Sequence, residues 1–213
     1  MRTSSVLVRP LVAAAGCLAF AGLTVTPASA ADTPVAFDCQ AKPPIVSAQT
    51  FDLSAGVDAT APSTVLSGSA FNITLAPAPI TVPGSVNGYT VKSIKDIKLR
   101  AVVPANAALT GESLSGGSGT GSGTPSVAVS GGDIVMTVPG PISGGSTFTL
   151  PTLTLDLVAG ASGGTVDTQL AGTAYDNPGL TFTARVPILF FTADVPTSCY
   201  SSPNPVLSST AVS

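Results

Sequence analysis

The chain has no histidine and no tryptophan, and only 9% of its residues are charged and 5% aromatic. Without histidine there is no imidazole base, no Ser-His or Cys-His nucleophile pair and no His-ligated metal, which excludes the commonest enzymatic mechanisms. Charge falls far below the roughly 25% of an ordinary soluble domain, and acids outnumber bases, 11 to 8. What is abundant is aliphatic and turn-forming: 44% of residues are hydrophobic, with 22 glycines and 19 prolines among 213 residues. Mean hydropathy is +0.50. That composition favours short strands and turns over long helices.

The first thirty residues read as an export signal. Arg2 and Arg9 mark a basic start, residues 11–25 are apolar, and Ala28-Ser29-Ala30 supplies small residues for cleavage after Ala30. The apolar stretch is too short for a membrane span of about 20 residues. Cys17, after Ala15-Gly16, offers lipidation as an alternative, although Ala14 stands where a lipobox has Leu. Removing the leader takes Arg2 and Arg9, leaving 6 bases against 11 acids, a net charge of −5. Nucleic acid is thereby excluded as a partner recognised through overall charge. Only Cys39 and Cys199 then remain, one near each end, and in an oxidising compartment they are expected to form a disulfide.

Hydrophobic residues alternate with a period of two along most of the chain. Phe51, Leu53, Ala55 and Val57 form one such series, and Phe71, Ile73 and Leu75 another. Ile97, Leu99, Ala101 and Val103 share a face opposite Lys98 and Arg100, which predicts a half-wet strand. Ser130-Gly131-Gly132-Asp133 between two apolar series predicts a hairpin. The alternation slips at Pro151, predicting a bulge or a bend between sheets. The expected fold is all-β: an antiparallel immunoglobulin-like sandwich of about eight or nine strands in a single domain over residues 31–202, after a signal peptide at 1–30. The Gly/Ser tract at 115–124 is expected to be a mobile connection, and residues 203–213 a disordered tail.

Two stretches resemble bacterial immunoglobulin-like extracellular domains: residues 62–75, with Pro62, Val65 and Gly68 ahead of an alternating strand, and residues 144–157 followed by Gly163-Gly164-Thr165-Val166. Phe37-Asp38-Cys39-Gln40, Val82-Pro83-Gly84 and Val195-Pro196-Thr197-Ser198-Cys199-Tyr200 are similar to secreted proteins of unknown function from high-GC Gram-positive bacteria. The resemblance implies an extracellular β-sandwich and carries no catalytic motif.

Lys92, Lys95, Lys98 and Arg100 are the sharpest local feature, a candidate patch for an anionic wall polymer set against the simpler reading of a solvated strand face. The Gly tract lacks the lysine of a phosphate loop. The acids are dispersed: Asp52, Asp58, Asp156 and Asp167 on strands, Asp133, Asp176 and Asp194 near turns, with Glu112 the lone glutamate. No calcium loop is present, and no metal or cofactor is expected. The expected function is a non-catalytic module, secreted or associated with the cell envelope, whose partner is a wall polymer or an envelope protein. Alternatives are a carrier of a small apolar ligand, motivated by high hydropathy with few aromatics, and a hydrolase using paired Asp residues.

Overall fold

The computed structural model describes residues 28–29 and 32–213. The leader and Cys17 lie outside the described residues, apart from Ala28 and Ser29, which pair with Ala61 and Thr60. Ten long strands make up most of one sheet: β1 (Thr33–Ala41), β2 (Gln49–Ala61), β3 (Ala70–Pro77), β4 (Ser93–Val102), β5 (Ala107–Ser115), β6 (Ser126–Ser130), β7 (Asp133–Val138), β8 (Thr152–Ala159), β9 (Leu180–Ile188) and β10 (Phe191–Ser201). Their spatial order is β5-β8-β3-β2-β1-β10-β9-β4-β7-β6, antiparallel at every step.

The all-β, antiparallel expectation holds, but the layers do not form as two separate sheets. A single sheet curls until its edge strands, β5 and β6, come together as a nearly closed, flattened barrel. The period-two pattern specifies which face of a strand is buried and is silent on whether the opposing layer belongs to another sheet or to the same one. Its faces are as predicted: Ile73, Ile134, Met136, Val138, Leu153, Leu155 and Leu157 are buried in one continuous core. Each such aliphatic side chain contributes about 1.5–3 kcal/mol of burial.

Cys39 and Cys199 are direct cross-strand partners between β1 and β10, with S–S 2.04 Å and Cα–Cα 4.1 Å, so the first long strand is stapled to the last. At Pro151 the chain changes sheets, as its slipped alternation predicted. Thr147–Phe148 pairs with Ile80–Thr81, and after the proline β8 joins the main sheet. The 130–133 hairpin forms, with Ser130 opposite Asp133. Asp96 adopts φ 54° and makes a bulge in β4, so that Ile94 and Ile97, three apart, both face inward.

Two expectations fail. The segment from Pro203 is ordered: Ser208–Val212 pairs with Thr165–Thr168 on one side and, in parallel, with Thr64–Val65 on the other. Leu207, Thr210 and Val212 are buried, and the Thr210 hydroxyl donates to the Pro62 carbonyl at 2.8 Å. The residues after the prolines alternate like any strand, and their Ser/Thr content concealed this. The Gly/Ser tract is also docked. Ser118 bridges Thr149 and Gly121 bridges Gly140. A Cβ on Gly121 would lie 2.5 Å from the Gly140 carbonyl carbon, and one on Gly123 2.5 Å from the Pro139 Cβ. The glycines are there for close approach, not for slack.

Replacing both cysteines by serine is expected to lower unfolding stability by about 2–5 kcal/mol, measured by denaturant titration. Gly121→Ala and Gly123→Ala should each cost about 1–3 kcal/mol, while Ser122→Ala between them changes little. A free linker would tolerate all three alike.

Candidate functional site

The inner faces of β1, β2, β4, β9 and β10 do not meet at one end of the barrel. Between them lies an apolar cavity of about 390 Å³, within the range of small-molecule pockets. Its walls carry Val35 and Phe37 of β1, Phe51, Leu53 and Ala55 of β2, Ile94, Ile97 and Leu99 of β4, Phe182, Ala184, Val186 and Ile188 of β9, and Val195 of β10. Phe51, Leu53, Leu99, Leu180 and Phe182 point inward and yet are only half-buried, because the space they face is open. With few aromatics to span the barrel, and with alanine at positions 55 and 184, the side chains do not reach across.

The segment through Val82, Val86, Tyr89 and Val91 lies along one side of the cavity. Its short hairpin turns at Asn87-Gly88, both with positive φ, as a two-residue loop requires. The Asn87 side chain donates to the Thr50 carbonyl at 3.2 Å, which ties this cover to the start of β2. Gln49, Asp52, Ser54, Thr81 and Tyr89 are the exposed or half-exposed polar residues of the lining. Deeper down, Thr197 is buried, and its hydroxyl has only a marginal contact, 3.5 Å to the Val195 carbonyl.

Of the predicted basic residues, Lys95, Lys98 and Arg100 lie on β4 and Lys92 immediately precedes it. Arg100 pairs with Asp133 through Nε, at 3.0 Å, and through Nη2, while Nη1 donates to the Pro178 carbonyl at 2.7 Å and to Asn177 Oδ1 at 3.3 Å. It fastens the start of β7 to the 176–179 turn. Lys95 pairs with Asp194 at 2.8 Å. Lys92 and Lys98 are exposed and make no ion pair among the described residues. The run is therefore two structural ties and two solvated cations.

Among the acids, Asp38 and Asp52 are cross-strand partners on the outer face, opposite the buried Phe37 and Cys39. The Asp38 carboxylate accepts a hydrogen bond from Tyr200 and, with burial, pushes that phenol above its usual range. Tyr175 meets Tyr200 edge-on at 5.2 Å. Among the described residues no group of three or more acids or cysteines is placed to hold a metal ion. Asp52 is the one acidic residue bordering the cavity, and it is exposed on the outer face, so the cavity lining offers no carboxylate pair.

Sequence reasoning missed the cavity and one turn. A cavity wall is built of the same alternating aliphatics as a filled core, so composition alone hinted at it. Leu189 and Phe190, inside an apolar run, form an exposed turn between β9 and β10.

The hydrogen bond from Lys95, reinforced by the charges of Lys95 and Arg185, holds the Asp194 carboxyl below its ordinary value. Its stabilising contribution is therefore present at neutral pH and disappears as the pH falls through the lowered value. Lys95→Gln should move the Asp194 titration, followed by carboxyl NMR, back up toward the usual carboxylate range. The shift should be smaller at high salt, because the pair is half-exposed.

No protein-family model matches the chain, and no curated protein matches it. Two solved chains do. One is the crystal structure of a protein from Corynebacterium diphtheriae, described as membrane-anchored. It superposes with a TM-score of 0.56 at 18% identity, over 86% of this chain and 38% of the neighbour, so this chain spans well under half of that protein's length. At that identity the likeness is one of fold, to an all-β protein from a high-GC Gram-positive bacterium.

Proposed function

We propose that this protein is a non-catalytic, exported module of the cell envelope that holds a small apolar molecule inside its barrel. The observation that carries the reading is the cavity: concave, almost wholly apolar, covered on one side by a tethered hairpin, and with a buried threonine, Thr197, in its lining. A protein that merely needed a stable core would lose stability by leaving such a space unfilled, roughly 24 cal/mol for each Å³. Export is supported by the leader pattern and by a buried disulfide, which suits an oxidising compartment. The envelope location draws on the neighbour, described as membrane-anchored. Kinship with immunoglobulin-like extracellular domains belongs to the same reading, supported by the antiparallel layers and by the motifs at residues 62–75 and 144–157. Lys92 and Lys98 are the cations that stay available to an anionic wall polymer or envelope protein.

The test is binding of a neutral fluorescent apolar probe such as 1-aminoanthracene, together with native mass spectrometry of the purified protein. Wild type is expected to bind the probe with micromolar affinity or to carry a co-purifying apolar species. Ala55→Phe, which places a ring in the cavity, should weaken probe binding at least about tenfold, a loss of about 1.4 kcal/mol, with little change in melting temperature. Equal binding by wild type and a folded Ala55→Phe variant would remove the cavity as the site.

A further inference from the structure

β9 pairs with β4 only as far as Arg185, opposite Ser93, and β10 pairs with β1 only from Thr197, opposite Ala41. Residues 186–195 therefore continue as a two-stranded ribbon with no ladder partner on either edge among the described residues. The ribbon's inner face is buried, through Val186, Ile188, Ala193 and Val195, and three of these four line the cavity. Its end is the opposite: Leu189 is 81%, Phe190 101% and Phe191 46% exposed.

Turn chemistry makes this end conspicuous. Among the described residues three pairs of strands are joined by two-residue turns, and two use the residues such turns favour, Asn87-Gly88 and Gly131-Gly132. The third places Leu189 at φ 53° and Phe190 fully in water. A side chain in the left-handed region and an exposed aromatic both cost stability.

We propose that this tip is a docking element for an anionic lipid surface, into which Leu189, Phe190 and Phe191 insert. Three observations select lipid over protein. The tip is small: each aromatic buries about 150–250 Å², against the roughly 800 Å² per partner of a stable protein interface. The ribbon edges carry Pro187 and Pro196, which lack the N–H a recruited strand would need. Cations gather at the root, with Lys92 just before β4, Lys95 on β4, Arg185 on β9, and Lys42 hydrogen-bonded through its backbone to Pro196, against the two carboxylates Asp194 and Asp96. Arg185 is four residues behind Leu189, about 13 Å along the strand. With the tip buried about 5–10 Å into the interface, these cations reach the headgroups. The proposal rests on the envelope reading only for where that surface lies, and it holds whether or not the cavity is filled.

The experiment is flotation of the protein, in the form its host releases, with vesicles of phosphatidylcholine alone or of equimolar phosphatidylglycerol and phosphatidylcholine. Wild type is expected to float with the anionic vesicles and to be released by salt. The double variant Leu189→Ser/Phe190→Ser should bind at least about tenfold more weakly, and Lys92→Gln/Arg185→Gln severalfold more weakly. Because the chain lacks tryptophan, Phe190→Trp reports from one position, and its emission should shift to the blue on anionic vesicles. Circular dichroism and thermal melting of the tip variants check their fold independently of the cavity, so failure of docking and failure of the cavity reading are read separately. No flotation of wild type, equal flotation of the tip variant, or an unshifted tryptophan overturns the proposal. So does self-association in solution that the tip variant abolishes, which would give the tip to a second copy.

Discussion

The pairing of β1 with β10, locked by Cys39 and Cys199, is the constraint from which the architecture follows. It puts the first and the last long strand at the centre of the sheet. The strands that follow β1 must then extend to one side, as β2 and β3, and those that precede β10 to the other, as β9 and β4. The middle of the chain is pushed to both outer edges. Those edges, β5 and β6, are consecutive in sequence, and a short docked connection draws them together. Curvature is thus enforced by connectivity as much as by the natural twist of strands.

Within that frame the interior is economical. Aliphatic side chains fill the part of the barrel under β3, β7 and β8, where Ile73, Ile134, Met136 and Leu155 interlock. Toward β9 and β10 the same pattern continues around a cavity, with alanine at positions 55 and 184 among larger side chains. One face pattern therefore builds both a packed half and a hollow half, and the difference lies in residue volume at a few positions. The strand Ser208–Val212 completes the packed half by drawing Thr165–Thr168 and Thr64–Val65 into a small sheet of its own.

Much of this was legible in the sequence. Alternation revealed the buried faces of β2, β4, β7 and β8, Pro151 marked the change of sheets, and two cysteines in a chain with an export pattern fixed their own pairing. The curl of the sheet was not legible, since strand periodicity encodes burial and not the identity of the opposing layer. Nor was the docking of the Gly/Ser tract, because glycine chosen for contact and glycine chosen for freedom leave the same composition. The bulge at Asp96 escaped because a left-handed aspartate carries no mark beyond its surroundings. For the site, Lys95 and Arg100 were found as cations, but their carboxylate partners are remote in sequence, on β10 and at the start of β7.

The hollow half is walled by both the first and the last long strand: Phe37 on β1 and Val195 on β10 line the same space, beside the bond that joins the two strands. The wall of the chamber is incomplete until β10, far along the chain, has been laid against β1. Under the proposed carrier function, a guest would be taken up only after that pairing has formed.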